Sequence, residues 1–405
     1  MTARAPGRSP DTASTATTHV HRALAAARAR LAAHDDAIIR SQITIAQIGA
    51  PTGEESERAA WVARRYRDCG LADIHTDEAG NVIGQRAGER DLAPVAICAH
   101  LDTVFPRGTD LSVRRDGERL VGPGINDNGR GLAVMLALAG EIDGARIKPR
   151  RPIEFVATTG EEGIGDLRGA KHYFADRGRD AHAMVALDGA GDERIIHRAL
   201  GSRRFRVAYA GPGGHSWAAF GSPNAVHAAA AAAARLASLP LSTNPRTTLS
   251  VGRIGGGLSV NSIPDSAWLE IDLRSTSGAQ LDEIERAIRR IAQAAMEDEN
   301  AKRALGTRPL RVAVELIGAR PCGETAAEHD LVQSAIEATR LVGREPELAL
   351  ASTDANVPIS QGIPAIAIGA GGRGGDAHTH SEWYDNLHGT LGVARALTIV
   401  MAASR

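Results

Sequence analysis

Three short apolar runs in this chain each lead to an imidazole or a carboxylate. They are Val95-Ala-Ile-Cys-Ala-His100, Ile153 to Thr158 followed by Thr-Gly-Glu161-Glu162, and Val185-Ala-Leu-Asp188. Between and around them lie stretches with helical spacing, among them Lys171 to Arg177 and the helix launched at Leu132 to Ala139. Short apolar runs alternating with helices predict an α/β fold with a mixed, mainly parallel sheet covered by helices. Such a sheet delivers residues at its strand ends to a crevice. His100, Asp127, Glu162, Asp188 and His378 stand at the ends of such runs or in the loops beside them, and so are candidates for one site.

The pattern changes near Gly201. Arg203 to Ala210 alternates like a half-exposed strand, an Ala-rich helix follows from Asn224 to Leu239, and strands are expected at Thr247 to Ile254 and Ala267 to Leu273. A helix at Gln280 to Ala295 and a strand at Leu310 to Leu316 complete a strand-helix-strand-strand-helix-strand unit. This predicts an inserted α+β, ferredoxin-like domain over residues 201–320, inside a catalytic domain formed by 19–200 and 321–405. At 405 residues, two domains are expected rather than one core. Residues 1–18, rich in Thr, Ala, Ser, Pro and Arg, read as a disordered tail without a signal or anchor.

A net charge of -1 offers no field for polyanions, which argues against nucleic acid or an anionic membrane as partner and for a small molecule. No stretch of about 18 uncharged apolar residues occurs. Cys69, Cys98 and Cys322 are far apart and odd in number, which fits a reducing, cytoplasmic location and neither a disulfide framework nor a thiolate metal site.

The candidate site is built from imidazole and carboxylate, a donor set for zinc that also accepts cobalt or manganese. Two histidines and three carboxylates serve two ions if one carboxylate is shared. His100 and Asp102 are two residues apart at a strand end and point to the same side. One is placed to bind metal, with the other accepting the second ring N–H and holding the tautomer. Glu161 and Glu162 are adjacent carboxylates that repel one another unless a cation holds them. Glu162 then ligates and Glu161 acts as general base. Asp127 lies in the loop Gly122-Pro-Gly-Ile-Asn-Asp127-Asn128-Gly, where a shared carboxylate is needed. His378 and His380 compete for the last imidazole position.

Taken together, the motifs His100-Leu-Asp102, Gly124-Ile-Asn-Asp127-Asn128, Gly160-Glu161-Glu162-Gly163, Leu187-Asp188, Gly211-Pro-Gly-Gly-His215-Ser216, Gly255-Gly-Gly-Leu-Ser-Val-Asn261-Ser-Ile-Pro264, Asp272-Leu-Arg274 and His378-Thr-His-Ser-Glu382 resemble the co-catalytic zinc metallopeptidases. That family includes the aminoacylases, carboxypeptidase G, dipeptidase V and peptidase T. The likeness spans about residues 40 to 400 and is nearest to peptidase T. It implies two Zn(2+), one held by His100 and Asp188 and the other by Glu162 and His378, with Asp127 bridging and Asp102 behind His100. It also implies a cis peptide at Asp127-Asn128. The inserted domain is expected to act as a lid and to support a homodimer, with His215 reaching a neighbouring active site to stabilise the oxyanion and Asn261 and Arg274 gripping the substrate.

The resemblance points to cleavage of an amide bond in a small peptide, by an aminopeptidase or tripeptidase. An N-acyl-amino-acid deacylase or glutamate carboxypeptidase is the alternative, and a non-catalytic metal-dependent binding protein is the rival from another class. The glycine-rich loops at 211–214 and 369–375 lack the continuation that nucleotide sites require.

Overall fold

The computed structural model describes residues 25–144 and 148–405, so the tail expected over residues 1–18 lies outside the described residues. Two compact units emerge. One runs up to His197 and resumes at Thr325–Ala349 and Thr353–Arg405; the other comprises Arg198–Glu324 and Leu350–Ser352.

In chain order the elements are α1 (Asp35–Ala46), α2 (Ser56–Asp68), β1 (Ala72–Thr76), β2 (Val82–Arg86), β3 (Val95–His100), β4 (Arg114–Asp116), β5 (Arg119–Val121), α3 (Gly129–Gly144), β6 (Ile153–Thr158), α4 (Arg168–Ala175), β7 (Ala183–Leu187) and β8 (Arg194–Ala199). Next come β9 (Gly201–Ala210), β10 (Gly214–His215), α5 (Ala225–Ala237), β11 (Thr247–Gly256), β12 (Ser262–Ile263), β13 (Ser266–Ser275), α6 (Gly278–Asn300), β14 (Arg311–Arg320) and β15 (Gly323–Glu324). The chain ends with α7 (Asp330–Leu341), β16 (Glu347–Ala351), α8 (Asn356–Ser360), β17 (Ala365–Ile368), β18 (Arg373–Gly375), β19 (Trp383–Asp385) and α9 (Gly389–Ala403).

The main sheet of the first unit runs β1-β2-β6-β3-β7-β17-β8. Its centre is parallel, with β6, β3, β7 and β17 side by side, and antiparallel strands close both flanks. All six residues of β3 and all six of β6 are buried, as a strand covered on both faces requires. Helices α3 and α9 carry apolar residues around most of their circumference and sit in the same core, with Leu132, Met135, Leu138, Leu397 and Val400 all inaccessible to solvent. The register pairs His100 with Thr158 across β3 and β6, and Cys98 with Ala186 across β3 and β7. The carboxyl ends of three strands are thereby brought to one edge, where the loops carrying Glu161, Glu162 and Asp188 begin.

The second unit is built on a four-stranded antiparallel sheet in the order β11-β13-β9-β14, with α5 and α6 on one face. Alternation decides which face is covered. Phe205, Val207 and Tyr209 point into the helices, while Arg204 and Arg206 lie on the other face among Asp272 and Glu270. Both helices begin at a capping side chain. Asn224 accepts from the N–H groups of Val226 and His227, and Ser277 accepts from that of Gln280. Among the described residues no helix is long and apolar enough to cross a membrane.

Phe155, inaccessible on β6, meets Tyr66 of α2 edge-on with ring centroids 6.4 Å apart. Phe155→Ala is expected to lower stability by about 3–5 kcal/mol through lost burial and the cavity left behind. Urea unfolding of variant and parent measures this; a loss below about 1 kcal/mol contradicts a packed core at this position.

Candidate metal centre

His100 ends β3 and is buried. Its Nδ1 lies 3.0 Å from the backbone carbonyl of Asp102, an atom that only accepts, so Nδ1 carries a hydrogen and Nε2 is the nitrogen turned to the carboxylates, protonated toward them in the metal-free state. That Nε2 is 3.0 Å from Asp127 Oδ1 and 3.8 Å from Asp188 Oδ1. The expected role of Asp102 is corrected in one respect. Its carbonyl takes the ring N–H, while its carboxylate stands 3.6 Å from Nδ1. That carboxylate accepts instead from the backbone N–H groups of Glu161 and Glu162, both at 2.9 Å, and from Thr52 Oγ1 at 2.8 Å. The reason is that the buried loop after β6 has N–H groups with no strand to pair with, and a buried carboxylate satisfies them while being satisfied itself.

Asp127 addresses two histidines with different oxygens. Its Oδ1 faces His100, and its Oδ2 lies 3.2 Å from His378 Nε2, which is also 2.8 Å from Glu162 Oε1. The peptide bond between Asp127 and Asn128 is cis, as the resemblance implied. His380 is outside this cluster, its ring edge-on to Phe105 with centroids 5.7 Å apart. Glu161 is buried beside Glu162.

The supports of this cluster carried no assigned role in the sequence. Asn128, fully buried, donates to the carbonyl of Leu187 at 2.8 Å and accepts from Gly131 N at 3.0 Å and Gly189 N at 3.1 Å. It thus ties the Asp127 loop to the loop that holds Asp188. Asn126 adds a bond from Ala190 N at 2.8 Å. Glu382 accepts from three backbone N–H groups of the Asp127 loop. Burial pushes its carboxyl up to about 7 despite them. The only sequence signal for these residues was their place inside motifs already quoted.

Electrostatics show what the cluster lacks. His378 is held up to about 9, first by its bond to Asp127 and also by the charge of Glu162, against the opposing effect of burial. Burial would lower the pKa of His100, but the facing carboxylates of Asp102, Asp127 and Asp188 outweigh this and raise it well above the usual imidazole value. Asp127 resists burial through its bonds to both histidines and stays below the ordinary carboxylate range. Burial first, then the charge of Asp127, raises Glu162. Carboxylates so crowded need cations, which here are protons on imidazole.

Donor atoms of His100, Asp127 and Glu162 all lie within 4.8 Å of one another, so the residues present fit a metal. The divided use of the two Asp127 oxygens fits two. Nitrogen and carboxylate oxygen are donors for zinc and its near neighbours.

The remaining predicted residues belong to the second unit. β10 and β12 pair His215 with Ser262, and Ser216 N donates to the carbonyl of Asn261 at 2.9 Å. His215 and Asn261 line one hollow of about 380 Å³. Arg274 is not among the residues lining it. It stands on the polar face of β13, where its Nε donates to Asp272 Oδ2 at 2.7 Å.

Residues 96–402 match the family described as Peptidase family M20/M25/M40. The chain belongs to that family. Its membership makes this protein a hydrolase with the peptidase and amidohydrolase fold. A succinyl-diaminopimelate desuccinylase from Corynebacterium glutamicum is 25% identical over 346 residues, covering 83% of this chain and 88% of the relative. Two solved structures share the fold: the aminopeptidase PepT from Bacillus cereus, with TM-score 0.72 and 23% identity over 91% of this chain and 98% of that one, and a tripeptidase from Staphylococcus aureus, with TM-score 0.74 and 22% identity over the same shares. A dinuclear metal-binding peptidase of the M20 family from Bacillus subtilis aligns at TM-score 0.65 with 16% identity, covering 93% of this chain and 98% of its own.

Asp354 lies behind this family site. It is buried, and its Oδ2 accepts from Thr158 Oγ1 at 2.5 Å, while Oδ1 has no hydrogen-bond partner among the described residues. Burial raises its carboxyl from 3.8 to about 6. A carboxyl raised on folding favours the native state below its unfolded pKa and loses that contribution as pH rises through the folded value. In metal-free protein, Asp354→Asn is therefore expected to gain about 2 kcal/mol relative to the parent between pH 4 and pH 7.5. Urea melts at the two pH values check the sign; a difference that does not change with pH contradicts it.

Proposed function

We propose that this family hydrolase is a two-metal exopeptidase that cleaves an amide bond in small peptides, of the aminopeptidase or tripeptidase kind. The observation that carries the reading is Asp127, whose two oxygens face His100 and His378 separately while the Asp102 carboxylate holds the Glu161-Glu162 backbone. His100 and Asp188 would hold one Zn(2+), Glu162 and His378 the other, with Asp127 shared; Co(2+) or Mn(2+) suits the same donors. When bound, such metals make a water acidic enough to react near neutral pH and polarise the substrate carbonyl.

The chain's own residues do the rest. Glu161 takes the proton of the attacking water and returns it to the leaving nitrogen as the amide C–N bond breaks. In the homodimer of this reading, His215 reaches a neighbouring active site and donates to the carbonyl oxygen as negative charge develops there. Asn261 donates to the distal end of the substrate, and the part of the Arg274 guanidinium not given to Asp272 suits a terminal carboxylate. Residues 201–320 serve in this reading as the lid and as the surface through which a homodimer forms. The free cysteines and near-zero charge agree with a cytoplasmic protein acting on small molecules rather than on nucleic acid or membrane.

The aminopeptidase and tripeptidase structures support the peptide reading; the desuccinylase relative supports a second, removal of an acyl group from an N-acyl amino acid. Purified protein is expected to hold about two metals per chain. It should also cleave free tripeptides in preference to N-acetyl and N-succinyl amino acids, with activity lost to a chelator and restored by zinc. Deacylation without peptide cleavage would establish the second reading. Metal binding with no turnover across the panel would favour a non-catalytic binding protein. No metal and no activity would overturn the assignment.

Glu161→Gln is expected to reduce kcat by about 100- to 10,000-fold while metal content stays unchanged. Steady-state kinetics alongside metal analysis test this, and full activity in the variant removes Glu161 as the base.

A further inference from the structure

Glu382 follows His378 by four residues in one tight turn, in which Glu382 N donates to the carbonyl of Thr379 at 3.1 Å. Its side chain is inaccessible to solvent. From there it binds the backbone of a segment more than 250 residues earlier. Oε1 accepts from Asn126 N at 2.8 Å and Asp127 N at 2.7 Å, and Oε2 accepts from Gly124 N at 3.2 Å. The carbonyl of Glu382 accepts a fourth bond, from Gly122 N at 2.8 Å. Immediately beyond, β19 continues the connection by pairing Trp383 with Val121 of β5.

Three N–H groups converging on one carboxylate leave the loop from Gly124 to Asp127 little freedom, because each bond lost there strands a buried donor. Asp127 and His378 therefore move as one piece although the chain separates them widely. We propose that Glu382 is the positioning residue that locks Asp127 against His378, and that it sets how tightly the centre keeps the metal on the His378 side. This rests on the two-metal reading above. Two acceptor oxygens are required by count. A glutamine in its place has one acceptor oxygen and an NH₂ group, which would meet a backbone N–H donor to donor. A buried acid used only for packing would not show that dependence.

The test uses full-length Glu382→Gln beside Leu331→Ala, a core substitution in α7 that shortens a buried side chain outside the site. Metal is removed from both and from the parent, zinc is titrated back calorimetrically, and amide exchange is followed on the metal-free proteins. The expected result for Glu382→Gln is a weaker-site dissociation constant raised about 10- to 100-fold. Its lost kcat should return when free zinc is raised, with KM within about twofold of the parent, and amides of Gly124, Asn126 and Asp127 should exchange faster. Leu331→Ala should lower Tm with zinc affinity and those amides unchanged. The proposal is overturned if Glu382→Gln binds zinc as the parent does, if Leu331→Ala weakens zinc equally, or if the three amides keep parental protection. If the parent itself binds no zinc, the two-metal reading fails and takes the metal-retention role with it. The exchange data then still decide whether Glu382 fixes the loop.

Discussion

The buried carboxylate of Asp102 has its lone pairs taken by Glu161 N, Glu162 N and Thr52 Oγ1, while the carbonyl of the same residue receives the His100 ring. One residue thereby joins the end of β3, the loop after β6 and the turn before α2. Burying a charge without such partners would cost several kcal/mol, so the three segments cannot drift apart without exposing or stranding it. The orientation of His100 and the position of the two glutamates follow from that single constraint. In the metal-free state the same economy extends outward, with imidazolium protons balancing the carboxylates that a metal would otherwise neutralise.

A second layer fixes the rest of the cluster by backbone bonds. Asn128 spans from the Asp127 loop to Leu187 and Gly189, and Glu382 spans from the His378 turn to Gly124, Asn126 and Asp127. Gly131 shows how little room remains, since a Cβ there would lie 2.1 Å from Asn128 Oδ1. Sites assembled from distant loops need such supports, because loop backbone otherwise samples more than the few tenths of an ångström a metal tolerates.

The parallel centre of the sheet was legible because β3, β6 and β7 are apolar along nearly their whole length and can only be strands covered on both sides. The antiparallel flanks were not. Ala72–Thr76 and Val82–Arg86 are short and partly polar, the first lying at the sheet edge and the second beside it, and their identity comes from pairing. Candidate ligands were legible as residue types at strand ends. Asn128 and Glu382 were seen only as members of motifs, because a side chain that bonds to distant backbone leaves no periodic trace.

By itself the amino-acid sequence determined the α/β class, the alternating second unit and the set of histidines and carboxylates able to share a site, since hydrophobic period and residue chemistry are local properties. The resemblance names His378 over His380 and Asp127 as the shared carboxylate; tertiary structure alone decided that the Asp102 carbonyl rather than its carboxylate takes the His100 ring, and which Asp127 oxygen turns to each histidine. Those choices depend on which buried donors and acceptors are left unpaired when strands and loops far apart in the chain come together, and no local pattern records that.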